Sequence, residues 1–158
     1  AFFSNRISTY ATPAELAARF RSSGGKPFVA VQSNDHPAIA AIQSVESNAR
    51  PPVVTPAGDY RQTENSTSFT LRTDEPGVIA VLEAHWPGEF RATINGRETD
   101  VIRVNHAFNG ILVRTAGEHR VTLRYWPRDL SRDLTLAGIG ALLFAASLVL
   151  VLRPGRMT

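Results

Sequence analysis

The chain has 158 residues, with 17 Lys plus Arg against 14 Asp plus Glu, four His and no Cys. That length allows one domain of ordinary size, or a smaller domain with an appendage. Composition excludes collagenous, low-complexity and disulfide-scaffold chains, and the lack of cysteine removes zinc-finger, iron-sulfur and thiol-nucleophile chemistry.

Ala1-Phe2-Phe3 offers neither a basic n-region nor an apolar h-region, so no export signal is expected at this end. Thr12-Pro13-Ala14-Glu15 places a capping hydroxyl, a proline at the first helical position and a glutamate at the third, which predicts a short helix over 13–21. Ser22-Ser23-Gly24-Gly25 ends it. Pro27 to Val31 reads as a buried strand, and Asn34-Asp35-His36-Pro37 opens a second helix with Ile39, Ile42 and Val45 at helical spacing. Arg50-Pro51-Pro52 and Pro56-Ala57-Gly58 read as loops. Residues 1–56 therefore form a mixed α/β lead-in, partly packed on the β domain C-terminal to it.

From Tyr60 the pattern turns strongly β, with short runs at the spacing of a sandwich or barrel and about seven strands expected. Ser68 to Leu71 alternates polar and apolar residues. Val78 to Leu82 is apolar throughout, as a central strand covered on both faces requires. Phe90, Ala92 and Ile94 lead into Asn95-Gly96, whose residues both tolerate the positive φ of a type I′ turn, and Ile102 and Val104 return on the partner strand. Phe108 to Val113 comes next, Ala116-Gly117 turns the chain, and Val121, Leu123 and Tyr125 alternate on the last strand. The fold class is mainly β: a sandwich-like domain over 57–127, joined by a linker over 127–133 to a C-terminal helix.

That helix is the most distinctive segment. Leu134 to Leu152 runs 19 residues without a charge, with Thr135 and Ser147 as its polar members. At 1.5 Å per residue it is about 28 Å long, close to the roughly 30 Å hydrocarbon core of a bilayer. The alternative, a wholly buried core helix, needs protein on every side, which a domain of this size rarely supplies. Beyond it, 153–158 form a short tail. Setting aside Arg153 and Arg156 leaves 15 basic against 14 acidic side chains, so the basic balance is no nucleic-acid signal. Each flank carries two Arg, which leaves orientation open by charge counting, with a lean toward a cytoplasmic tail. Ala137, Ala141 and Ala145 recur at every fourth position and read either as a packing stripe for another helix or as lipid-facing alanine.

Catalytic patterns are sparse. His36, His85, His106 and His119 lack metal-ligand spacing and read as surface or hairpin histidines. Ser66 and Ser68 lack a nucleophile elbow. Glu83, Glu89, Glu98 and Asp100 sit near turns, where carboxylates either flank a sugar or are simply solvated. Asn65-Ser66-Thr67 is a glycosylation sequon. Trp86 and the pair Tyr125-Trp126 fit either sugar stacking or anchoring at a membrane interface.

The run Trp86-Pro87-Gly88, then Phe90 to Gly96, Arg103 to Phe108, Gly117-Glu118-His119 and Val121 to Pro127, followed at once by a terminal hydrophobic helix, resembles the C-terminal end of YfhO-family bacterial membrane proteins. The likeness covers Tyr60 to Leu152. Where that family shows Pro-Gly-Trp and then Asp-Gly in the hairpin, Glu89-Phe90 here replaces the Trp and Asn95-Gly96 the Asp-Gly. The resemblance implies the end of a longer multi-pass protein similar to GT-C glycosyltransferases, which use polyprenyl-phosphate sugars. It further implies an extracytoplasmic β domain on the last transmembrane helix in a bacterial cell membrane, with a cytoplasmic tail. The catalytic acid of GT-C enzymes lies in an early loop outside this chain, so no catalytic, cofactor or metal position is carried over. Asn95, Gly96 and Gly117 are assigned to turns. Arg103, Asn105, His106 and Trp86 are the candidates for contact with a glycan, a glycolipid or a partner. The other expected partners are the lipid bilayer and the remaining helices of the parent protein.

Overall fold

Thr12 caps the first helix as its sequence requires: its hydroxyl accepts the Glu15 N–H at 3.3 Å, and the Glu15 carboxylate takes the Ala11 N–H at 2.8 Å. The structure, a computed structural model, describes residues 1–43, 45 and 52–152. In chain order these form β1 (Phe2–Ser4), β2 (Ile7–Tyr10), α1 (Pro13–Ser22), β3 (Val29–Gln32), α2 (His36–Gln43), β4 (Val54–Pro56), β5 (Gly58–Gln62) and β6 (Ser66–Thr73). Then come β7 (Gly77–Ala84), β8 (Phe90–Ile94), β9 (Arg97–Thr99), β10 (Val101–Val104), β11 (Phe108–Val113), β12 (Gly117–Tyr125) and α3 (Leu130–Leu152). Arg50 and Pro51 of the expected loop, and the expected tail 153–158, lie outside the described residues.

Two five-stranded antiparallel sheets make the sandwich, one in the order β10-β11-β7-β1-β4 and the other β5-β6-β12-β8-β9. Alternation decides what each strand buries. Ile79 and Val81 of β7 and Ile111 and Val113 of β11 point into the space between the sheets, where they meet Phe69, Leu71, Ala92, Val121 and Leu123 of the opposite sheet. The intervening residues Val78, Ala80, Leu112, Ile102 and Val104 face the other way, onto Ile7, Val29, Val31, Ala38 and Ile42. Covering the first sheet on both faces accounts for the apolar run of β7 as far as Val81. Leu82, expected to be covered with it, is instead 62% exposed, because the covering layers end before it. Each Val, Leu, Ile or Phe in these two buried sets, fully buried, contributes about 1.5–3 kcal/mol relative to exposure. The outer layer over that sheet is a small parallel unit, β2-α1-β3, followed by α2.

Several expectations need correction. From Gly58 onward there are eight strands rather than seven, because the arm returning from the Asn95-Gly96 turn divides at Asp100: β9 pairs with β8 in one sheet and β10 with β11 in the other. A strand that changes sheets in this way turns a corner of the sandwich. Pro56-Ala57-Gly58 is not a loop, since Ala57 alone separates β4 from β5 and its N–H bonds the Ala1 carbonyl at 3.1 Å. Residues 1–126 form one compact unit, with β1 and β4 hydrogen-bonded into the first sheet of the sandwich.

Residues from Pro127 onward form the second unit. Its helix starts at Leu130 instead of Leu134, which shortens the linker to 127–129; Arg132 lies 3.6 Å from Asp129 and 3.5 Å from Asp133 across the first turn. Leu130–Leu150 is long and apolar enough to cross a membrane, and none of it is buried. Its two interior hydroxyls donate to carbonyls four residues back, Thr135 to Ser131 and Ser147 to Leu143, at 2.8 and 2.9 Å. In a bilayer these bonds would leave neither hydroxyl as an unsatisfied donor.

Candidate functional site

The candidates Arg103, Asn105 and His106 end β10 and form its turn into β11. Asn105 and His106 both have positive φ, 48° and 72°, in the left-handed region that asparagine tolerates better than most residues. Asn105 uses this bend to reach β3. Its N–H donates to the Ala30 carbonyl at 2.7 Å, the Ala30 N–H donates to its Oδ1 at 2.7 Å, and its Nδ2 donates to the Phe28 carbonyl at 2.8 Å. The carboxamide thus stands where another strand's peptide group would be. Asn95 does the same against β12, exchanging bonds with Arg120 and donating to the Glu118 carbonyl, and Asn5 does it against Val53.

Arg103 joins a polar network at the same edge. Its guanidinium lies 3.4 Å from Gln32 Oε1 and 3.8 Å from Asp35 Oδ2, while Asp35 Oδ1 accepts the Ala38 N–H and so caps α2. The buried Tyr10 completes the group. Burial pushes its phenol above the usual range; Arg103 and a hydrogen bond from the His106 backbone pull the other way, and Asp35 pushes with burial. The sequence marks Asp35 only as part of the helix-opening Asn34-Asp35-His36-Pro37, and gives no sign that Asp35, Gln32 and Tyr10 meet Arg103. Trp86 lies on the neighbouring loop, which the His85 N–H bond to the Ala107 carbonyl, 2.7 Å, holds beside the turn. Its side chain is exposed, as is His106.

A second concavity lies on the outer face of the other sheet. A groove of about 920 Å³ is bounded by Asp59, Thr70, Arg72, Asn95, Glu118 and Arg120. The Asn95-Gly96 turn at its rim has φ values of 53° and 79°, as a type I′ turn requires, and Gly117 has φ 134°. His119, expected at the surface or in a hairpin, is instead 4% exposed beneath this groove, because its position on β12 points inward; Nε2 lies 3.0 Å from Thr73 Oγ1. Burial holds its pKa below the ordinary value, with the Thr115 backbone opposing. The unfolded chain therefore takes up this proton first, and stability is lost as pH falls below about 6.5 toward the folded-state pKa. Thermal unfolding in detergent should show a melting temperature that declines over that window, and His119→Gln should flatten the decline. An unchanged slope in the variant would assign it to other groups.

Among the described residues no group of three or more His, Asp or Glu is placed to hold a metal ion. Of the turn carboxylates, Asp100 pairs with Arg114 at 2.7 Å and Glu83 accepts from Thr67. Ala137, Ala141 and Ala145 lie on α3, exposed along its described side chains. No protein-family model, curated protein or solved structure matches this chain.

Proposed function

We propose that this chain is the noncatalytic headpiece and last membrane helix of a membrane glycosyltransferase that uses polyprenyl-phosphate sugars to modify cell-envelope glycan. The observation that carries the membrane part is α3, a 23-residue helix whose last 19 residues carry no charge, soon after the last strand of a β-sandwich. The enzymatic context rests on the resemblance over Tyr60 to Leu152. In this reading the β domain stands outside the cytoplasm and orients acceptor glycan or glycolipid, while α3 packs on the parent protein's other helices through Ala137, Ala141 and Ala145.

The absence of cysteine makes topology directly testable. Arg97→Cys, at the exposed tip of the β8–β9 hairpin, introduces the one thiol within residues 1–158. In intact cells it should react with a membrane-impermeant maleimide. Labelling only after lysis would reverse the orientation and remove the extracytoplasmic role.

A second reading is a membrane-anchored carbohydrate-binding or structural module without a catalytic partner in its own chain. The groove bounded by Asp59, Arg72, Asn95, Glu118 and Arg120 favours it, since planar amide, carboxylate and guanidinium groups suit sugar hydroxyls. The open reading frame upstream of Ala1 separates the two: further hydrophobic spans support the glycosyltransferase, a signal peptide the module.

A further inference from the structure

The end of the sandwich from which the chain leaves for α3 carries an arrangement that stability does not explain. Arg91 of β8 and Arg124 of β12 are directly opposite each other in register, both exposed. Like charges so placed oppose pairing of the strands. Among the described residues neither guanidinium has a carboxylate within ion-pair distance. Both instead converge on one ring: Arg124 lies 4.8 Å and Arg91 5.6 Å from the centroid of Trp126. The ring attracts the cations through its face but supplies no anion.

Trp126 is itself held in place. Its N–H donates to the Glu89 carbonyl at 2.6 Å, continuing the β8–β12 pairing beyond Tyr125, and Tyr125 packs edge-on against Phe90 at 5.4 Å. Two guanidiniums are thus fixed side by side with N–H donors left over, the geometry that suits bidentate bonds to phosphate oxygens. Chain connectivity supplies the location. Only Pro127, Arg128 and Asp129 separate Trp126 from Leu130 of α3, a reach of no more than about 14 Å. Arg132, in the first turn of α3, already has Asp129 and Asp133 beside it; Arg128 in the connection also lacks a carboxylate partner among the described residues, but only Arg91 and Arg124 are held against the Trp126 ring.

We propose that Arg91, Arg124 and Trp126 form a seat for the phosphate of an anionic phospholipid headgroup, which docks the sandwich on the bilayer surface. The proposal rests on α3 crossing that bilayer. Its aromatic member, between water and hydrocarbon, occupies the position where tryptophan is enriched in membrane proteins.

The test uses the full chain carrying Trp86→Phe, which leaves Trp126 as the single tryptophan, reconstituted into vesicles doped with brominated phosphatidylcholine. Replacing a third of the phosphatidylcholine by phosphatidylglycerol should raise quenching of Trp126 roughly twofold, since basic residues near the surface are drawn to anionic lipid. Arg91→Gln with Arg124→Gln should abolish the rise. Equal quenching in both lipid mixtures, with the chain still floating with the vesicles, would overturn the headgroup seat and leave the membrane helix standing. A chain that fails to float would overturn both. Inorganic phosphate reproducing the effect on phosphatidylcholine vesicles would overturn the choice of lipid as the source.

Discussion

Gly77→Ala is expected to lower the stability of the sandwich by about 3 kcal/mol, at the upper end of what overpacking usually costs. A Cβ built on Gly77 would lie 2.5 Å from the Ser4 carbonyl oxygen and 2.6 Å from two carbons of the Phe3 ring. Neither neighbour can yield cheaply. Ser4 is backbone in β1, which is hydrogen-bonded to β7 on one side and β4 on the other. Phe3 is 1% exposed, in the core between the sheets. The glycine is required by space and not by a turn. Gly96→Ala provides the comparison: φ is 79° there and a Cβ would meet nothing within 4 Å, so only the backbone cost of roughly 1–2 kcal/mol applies. Thermal melts of the two variants, followed by circular dichroism in detergent, should show the larger drop for Gly77→Ala. Equal drops would mean that β1 can lift away from β7 without penalty.

This contact also marks where sequence reading stops. The Asn95-Gly96 hairpin, the Thr12 cap, the doubly covered β7 and the long apolar helix are all local: each is stated by neighbours within a few residues, through φ preference, capping chemistry or periodicity. The insertion of Phe2–Ser4 between β7 and β4 depends on partners about 50 residues away in β4 and more than 70 away in β7, and three residues carry no periodicity to announce it. The division of β9 from β10 at Asp100 is similar, because alternation continues across a strand that changes sheets. His119 departs from expectation for a related reason. Histidine composition suggests the surface, whereas its parity with Val121 and Leu123 on β12 sends it inward. Of the candidate contact residues, Arg103, Asn105 and His106 share one turn, but the Gln32, Asp35 and Tyr10 that surround Arg103 come from the outer α/β layer. No spacing within 101–108 predicts that layer's docking.

Asn105 offers a way to measure how firmly that layer is held. Asn105→Ala removes the acceptor for the Ala30 N–H and the donor for the Phe28 carbonyl, and leaves an L side chain at φ 48°. Ala30 is 0% exposed, so its N–H finds no water and bears the full cost of desolvation. Phe28 is half-buried, and its carbonyl loses less. Together with the left-handed backbone the expected loss is about 3 kcal/mol. Asn105→Gly keeps the backbone relaxed and should lose about 2 kcal/mol, which isolates the carboxamide's share from the conformational one. Hydrogen exchange at the Ala30 amide should accelerate in both variants. The same exchange of bonds made by Asn95 with Arg120 and Glu118 lies at the surface, so Asn95→Gly should cost less than Asn105→Gly, water replacing what is lost. If the two glycine variants melt alike, burial is not what gives the Asn105 carboxamide its strength, and the α/β layer is held on the sandwich by its apolar contacts, the Asn105 backbone bond to Ala30 and the Arg103 network.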